Sequence, residues 1–314
     1  ARLPQVCHPS RLTYCCGSFC LQATMTAEPA AKKAKLEPTS GPPLSKPSFD
    51  VTGKNFIVTG GTQGLGLEIA RQLKDCGAAK LALLSRSREK GEAAAAELTG
   101  GSCTATFVQA DLGDASSCQA GGKQAIETLG QVHGLVNAAG ITDRGNLMTT
   151  TVEEFDKQFN MNTRAPFLLT QAVSKHMIEK GVRGAVVNIG SIAAKGGAPF
   201  IMAYSASKAA VNVLAKNNAA ELAPHGIRVN SIDMGWTATD NEAVLQAKNG
   251  GPNWLEKADS SVPLQRIMRP VDVACVACFL LSPASQMMTG TILDLHPDTM
   301  LGMLSMKAVD SIDR

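Results

Sequence analysis

The segment that most constrains this chain is a short apolar run closed by glycines and followed by a helical pattern. Asn55-Phe56-Ile57-Val58-Thr59 reads as a buried strand. Thr59-Gly60-Gly61-Thr62-Gln63-Gly64-Leu65-Gly66 comes next, and Leu65, Ile69, Ala70 and Leu73 then recur at helical spacing. A glycine turn between strand and helix lets the backbone approach a pyrophosphate. The helix then aims its free N–H groups and positive dipole end at the anion. A glycine cluster alone would read as a flexible loop. The strand before it and the helix after it make a dinucleotide-binding turn of it. No Gly-Lys-Ser/Thr closes the motif, so it is not a P-loop.

The same alternation runs down the chain. Residues 80–85, 105–109, 134–137, 184–189, 227–232 and 291–294 read as further strands, with helix-length segments between them. This predicts an α/β chain with a doubly wound Rossmann fold: a parallel sheet of about seven strands with helices on both faces. Residues 49–314 are expected to form that single domain, and residues 1–48 a disordered basic N-terminal tail.

Charge and cysteine usage narrow the function. Residues 1–54 hold seven of the 30 Lys and Arg and three of the 27 acids, leaving a body with 23 basic and 24 acidic residues. A near-neutral body offers no basic face, so no nucleic-acid partner is expected. The most apolar stretch, residues 273–281, is far short of the roughly 20 residues that span a bilayer, so no membrane partner is expected. Nine cysteines without framework spacing suit a reducing, cytoplasmic setting. Residues 29–37 resemble a nuclear-localisation signal, a run that solvated tails also carry. Residues 1–24 have arginines and no acids, a faint echo of a transit peptide. The tail therefore leaves nuclear and organellar import open.

About 20 residues beyond the glycine turn, the second strand ends at Ser85-Arg86-Ser87-Arg88. An acid there would hold the ribose 2′-hydroxyl of NAD, and there is none. The Ser85 hydroxyl and the Arg86 guanidinium suit a 2′-phosphate, so NADP(H) is expected over NAD(H). Tyr204-Ser-Ala-Ser-Lys208 places a phenol and an ammonium on one helix face. A nearby ammonium stabilises the phenolate and lowers the tyrosine pKa, which suits proton exchange with an alcohol or a carbonyl. Ser191 lies 13 residues upstream of Tyr204. It directly follows a strand, at the carboxyl end where ligands of such sheets collect.

Taken in order, these motifs resemble the short-chain dehydrogenase/reductase family over roughly 250 residues, a usual single-domain size. The matching positions are the 59–66 turn, Asp111-Leu112, Asn137-Ala138-Ala139-Gly140, Asn162, Ser191, Tyr204, Lys208, Arg228-Val229-Asn230-Ser231 and Thr289-Gly290. The resemblance implies that Tyr204 is the general acid or base and that Lys208 binds the nicotinamide ribose. Ser191 would bond the substrate oxygen, and Asn162 would anchor a water in a proton relay through Lys208. It also implies that Thr59, Gly60, Gly64, Leu65 and Gly66 cradle the cofactor phosphates. Asp111 and Leu112 would meet adenine, and Asn137, Ala138 and Gly140 would support the sheet and the adenosine ribose. Gly235, Thr237 and Thr239 would hold the nicotinamide side. A homo-oligomer, tetramer or dimer, is implied through the helices that carry Asn162 and Tyr204. Two positions depart from the family pattern. Met234 replaces the usual proline before Gly235, and Leu295-His296 replaces a glycine pair after Asp294.

Residues 236–265 are expected to form a substrate lid. Trp236 and Trp254 sit there among many polar side chains, which suits a sugar- or polyol-like or small carbonyl substrate. Trp254 also reads as a packing anchor. The expected activity is NADP(H)-dependent interconversion of a secondary alcohol and a carbonyl. The alternatives are a 3-oxoacyl reductase acting on an acyl carrier or CoA, and a non-catalytic NADP-binding regulator. Cys275 and Cys278 are expected as buried packing residues, His133, His176 and His225 at the surface, and no metal site.

Overall fold

A computed structural model describes residues 49–249 and 251–297. The expected disorder of residues 1–48, the 29–37 basic run and the transit-like 1–24 stretch lie outside the described residues. Seven strands form one parallel sheet: β1 (Asn55–Thr59), β2 (Lys80–Ser85), β3 (Thr104–Gln109), β4 (Gly134–Asn137), β5 (Ala185–Ile189), β6 (Arg228–Met234) and β7 (Ile292–Leu295). Their spatial order is β3-β2-β1-β4-β5-β6-β7. The order reverses between β1 and β4, and ligands of such sheets enter at that switch point.

Alternation within each strand explains why both faces are covered. Phe56 and Val58 of β1, Leu81 and Leu83 of β2, and Val136 of β4 face one core. Helices α1 (Gly64–Asp75), α2 (Arg88–Leu98) and α9 (Pro270–Leu281) cover it with Ile69, Leu73, Leu98 and Leu280. Ile57, Ala82, Leu84 and Leu135 face the other core. Helices α3 (Ala115–Leu129), α5 (Ala165–Glu179) and α6 (Met202–Leu222) cover that one with Leu129, Leu169, Met177 and Ala215. Period-two alternation with apolar residues on both sides is what a strand buried on both faces requires.

The expected elements are all present, with shifted ends. β6 runs two residues beyond the expected end because Asp233 and Met234 pair in register with Asp294 and Leu295 of β7. A short helix, α4 (Val152–Phe159), passes into α5 through a π-helical turn at Asn160–Arg164. The 236–265 segment expected as a lid carries α7 (Asp240–Asn249) and α8 (Trp254–Ser260).

Two expectations need correction. Cys278 is buried at the edge of the set Val273, Ala274, Ala277 and Leu281, but Cys275 is exposed, because it falls on the side of α9 away from the centre of that set. His133 and His176 are half-buried, and only His225 is exposed. His133 accepts the Asn55 N–H at 3.0 Å, and burial lowers the pKa of both half-buried rings. Among the described residues, no group of three or more His, Cys, Asp or Glu is placed to hold a metal. No helix among them is long and apolar enough to cross a membrane.

Candidate active site

The sequence-selected residues converge at the carboxyl ends of β1, β2, β4, β5 and β6. At the end of β1, the buried Thr59 hydroxyl accepts the N–H groups of Ala138 and Ala139, each at 3.0 Å. This ties the glycine turn to the end of β4. Gly60 adopts φ +65°, and a Cβ there would stand 3.1 Å from the Ala139 Cα. Glycine meets both demands. A Cβ on Gly66 would collide with the Gly60 carbonyl, so α1 lies tight against the turn. Gly64 also has positive φ, with open space around it. Helix α1 starts there without a side-chain cap, which leaves its first N–H groups for an anion. The Leu65 side chain packs into the core, so any ligand contact falls to its backbone.

The end of β2 adds hydroxyls and cations to this turn. Thr62 donates to Ser85 at 2.9 Å, and Arg86 is exposed beside them. Lys90, in the first turn of α2, donates to Gln63 Oε1 at 2.7 Å. It brings a second cation to the turn, and sequence reasoning did not single it out. Its signal was a position one helical turn beyond Arg86. These donors fit the phosphates of a dinucleotide. Asp111 is exposed, with Oδ1 accepting the Gly113 N–H at 2.9 Å, while Leu112 is buried beneath the loop. Asn137 is buried and braces the strands by donating to Asn188 at 2.8 Å and Thr170 at 3.2 Å.

Asn162 sits in the π-helical turn and is fully buried. Its carboxamide accepts the Ile141 N–H and donates to the Ile141 carbonyl, both at 2.9 Å, and donates to Ser207 at 3.0 Å. It therefore clamps the segment after β4 to α6. A Cβ on Gly140 would lie 3.3 Å from Asn162 Oδ1 and 3.4 Å from Lys208 Nζ, so Gly140 lets the three groups close up.

Ser191 caps the turn Ile192–Lys195 and accepts the Ala193 N–H at 3.1 Å. Its hydroxyl and that of Thr142 lie beside the Tyr204 phenol and favour its ionised form. Thr142 is a second site residue absent from the sequence reading; it follows the Asn137–Gly140 motif by two positions. Lys208 is buried, donates to the Ile189 carbonyl at 2.7 Å, and holds its Nζ 5.8 Å from the Tyr204 ring centroid.

The electrostatics differ from the sequence expectation. Burial pushes the Tyr204 phenol above its ordinary pKa; the nearby Ser191 and Thr142 hydroxyls oppose this, and the Asp233 charge adds to it. Burial likewise pulls the Lys208 ammonium down to about 8, with Asp233 opposing. The removal of both groups from water outweighs the mutual help expected of a phenol–ammonium pair.

Both departures from the family pattern meet at the start of the 236–265 segment. The Gly235 N–H donates to the Leu295 carbonyl at 2.9 Å. A Cβ on Gly235 would stand 2.5 Å from the Cβ of His296, so His296 fills the space under this turn. Thr237 is buried and donates to the Gly235 carbonyl at 2.9 Å, while Thr239 caps α7 by accepting the Glu242 N–H at 3.2 Å. Trp236 donates to Glu242 at 2.8 Å, and its ring lies 6.4 Å from that of Trp254. This ring contact joins α8 to the segment before α7.

Residues 51–296 match a family model described as enoyl-(acyl carrier protein) reductase. A galactitol 2-dehydrogenase (L-tagatose-forming) of Cereibacter sphaeroides is 34% identical over 247 residues, which is 78% of this chain and 94% of that protein. A 3-oxoacyl-[acyl-carrier-protein] reductase of Chlamydia pneumoniae is 33% identical over 247 residues, 78% of this chain and 97% of the relative. Among solved structures, one from Beutenbergia cavernae superposes with a TM-score of 0.72 at 29% identity, covering 79% of this chain and 97% of its own. It is described as a putative NAD(P)-dependent gluconate 5-dehydrogenase with bound NADP at low occupancy.

Proposed function

The chain belongs to the short-chain dehydrogenase/reductase family, and from that premise we propose that it interconverts a carbonyl and a secondary alcohol on a sugar- or polyol-like or small carbonyl substrate with NADP(H). The observation that carries this reading is that the Ser191 and Thr142 hydroxyls lie beside the Tyr204 phenol while the Lys208 ammonium stands 5.8 Å from its ring centroid. A bound nicotinamide dinucleotide supplies or accepts the hydride. The chain's own residues do the rest. Ser191 holds the substrate oxygen, and Tyr204 gives it a proton in reduction or takes one in oxidation. Lys208 holds the ribose, and Asn162 keeps the strand end and α6 in place for the proton relay. Burial keeps the Tyr204 phenol protonated, the form that reduction needs.

The phosphate-side donors support NADP(H). Ser85 and Arg86, with Lys90 beside the turn, form a hydroxyl-and-cation set without an acid at the end of β2. Arg86→Ala is expected to raise the KM for NADPH by about 10- to 100-fold, the effect of losing one charge-assisted phosphate bond, and to leave the KM for NADH nearly unchanged. Initial-rate measurements with both cofactors check this; equal losses for the two would remove the specificity role of Arg86.

A polar lid, the galactitol relative and the gluconate neighbour favour sugar-like substrates. The acyl-carrier reductase relative and the family model's description favour the 3-oxoacyl alternative. The near-neutral body offers little to an acidic carrier protein. The intact Ser191, Tyr204 and Lys208 set disfavours a non-catalytic regulator. Phe155, Phe167 and Val213 expose apolar surface on α4, α5 and α6, which suits a homo-oligomer built on those helices. The free cysteines suit a reducing compartment such as the cytoplasm.

The test is a panel assay with the full chain. Polyols, aldoses, ketoses, sugar acids, small ketones and 3-oxoacyl thioesters are offered with NADPH or NADP, and the reduced nicotinamide is followed by absorbance. Turnover on sugars or small ketones is expected. Turnover confined to thioesters would replace the substrate assignment, and cofactor binding without any turnover would favour the regulator.

A further inference from the structure

Asp233 has no part in the scheme above, yet it lies directly beneath it. It stands near the end of β6, inside an otherwise apolar strand end, and is 1% exposed. One carboxylate oxygen accepts the Ser191 N–H at 3.1 Å. The other accepts the Asn212 carboxamide at 2.7 Å, and Asn212 in turn accepts the Ser231 hydroxyl at 2.9 Å. Gly190, just before Ser191, has no room for a Cβ because the Asp233 carboxylate occupies that space. The backbone of β5 therefore closes onto this acid at the residue that presents the Ser191 hydroxyl.

We propose that Asp233 is a positioning residue: its buried carboxylate, bridging Ser191 on β5 and Asn212 on α6, fixes the Ser191 end of the site and places a titratable negative charge beneath Tyr204 and Lys208. The proposal rests on the catalytic reading of Ser191 and Tyr204. A carboxylate satisfies both N–H donors, one at each oxygen. A carboxylic acid turns one oxygen into a donor, so the charge is lost and Asn212 has to turn its carboxamide to keep its arm of the bridge. The other charged groups around it are few. Asp294 on β7 lies opposite Asp233 in register, and Lys195 after β5 pairs with Asp294 at 2.5 Å. Tyr204 and Lys208 on α6 are within reach of its charge. Burial raises the Asp233 pKa to about 6; the bonds from Asn212 and Ser191 oppose this, Asp294 adds to it and Lys195 opposes it.

The consequence is a change of state in mildly acidic solution. Above about pH 6 the bridge carries a full negative charge, and below it the charge is lost and the Asn212 arm is reoriented. The sign for stability is the opposite. The folded pKa lies above the ordinary carboxyl value of 3.8, so the contribution of Asp233 to stability is greatest below that value and is lost as pH rises through about 6. Its charge thus serves the site at some expense of stability.

Tyr204 reports on this without a substrate, because the sequence has two tyrosines and the other is Tyr14. The full chain carrying Tyr14→Phe and carbon-13 at the tyrosine ζ carbon gives a single ring resonance. That resonance is expected to move with pH and show a midpoint of about 6. Asp233→Asn should abolish the inflection while keeping the bridge, since a flipped Asn212 can still pair with the new amide. The exchanged pair Asp233→Asn with Asn212→Asp restores an acid one bond away, and should restore an inflection. In thermal unfolding, the midpoint of Asp233→Asn should exceed that of the parent at pH 7, with the gap narrowing towards pH 4. With the best substrate of the panel, the parent should lose kcat as pH falls through about 6, and Asp233→Asn should show no such limb. Asp233→Leu strands the Ser191 N–H and should lower kcat about tenfold, the effect of one lost charge-assisted bond.

An inflection that persists in Asp233→Asn, or none in the parent, overturns the proposal. Ser191→Ala separates the two readings. If it turns over normally, the catalytic reading fails while the Tyr204 resonance still decides the role of Asp233. If it is inactive and Asp233→Asn keeps the parent's acid limb, only the proposal fails.

Discussion

Tyr204→Phe is expected to lower kcat by about 10²- to 10⁴-fold, the usual contribution of a positioned acid or base, with NADPH affinity nearly unchanged. The phenol lies beside the Ser191 and Thr142 hydroxyls, and phenylalanine removes its hydroxyl while keeping the ring. The ring packs against Ala193, Ala198 and Ile201, and those contacts survive the change. Stability should fall by about 0.5–1.5 kcal/mol at most, the net effect of a lost hydrogen bond. Stopped-flow nicotinamide absorbance and NADPH fluorescence titration read the two quantities separately. Retention of more than a tenth of parental turnover would move the proton donor to another group, and Thr142 would be the first to test.

Gly66→Ala is the second large effect, and it acts on cofactor and fold together. The new methyl meets the Gly60 carbonyl, a backbone atom. Gly60 cannot retreat, because its own α-carbon is held close to Ala139. Thr59 fixes that neighbour through the Ala138 and Ala139 N–H groups. The clash must therefore push α1 away from the turn. Overpacking of this kind costs about 1–3 kcal/mol. In a domain of this size that lowers the unfolding midpoint by roughly 2–4 °C for each kcal/mol. NADPH affinity should fall at least about tenfold, because the free N–H groups of the first turn move with the helix. Gly64→Ala is the control. Its methyl meets nothing within 4 Å, and it suffers only the left-handed backbone penalty, about 1–2 kcal/mol. Calorimetry and NADPH titration of the two variants should rank Gly66→Ala clearly worse for binding. The reverse order would show that backbone freedom at Gly64, not close packing at Gly66, limits the turn.

The sequence by itself determined the fold class and most of the candidate site. Apolar runs ending at glycines, with helical spacing between them, leave few ways to bury both faces of each strand, and the parallel sheet is the one found. The 59–66 turn, Ser191, Tyr204 and Lys208 were legible because each belongs to a local pattern: a strand end, a turn, or a four-residue helical step. Residues that act across strands were not legible. Thr142 and Lys90 reach the site from segments whose own patterns are ordinary. Asp233 fell one residue beyond the expected end of its strand, and its partners lie 42 and 21 positions away in the chain. The expected lowering of the Tyr204 pKa by Lys208 also failed for lack of depth, because spacing places two groups on one face and says nothing of the solvent they lose. Local periodicity fixes which face a side chain takes. Only the closed tertiary structure decides how much water is excluded there and which distant group meets it, and those two quantities set the charge state of this site.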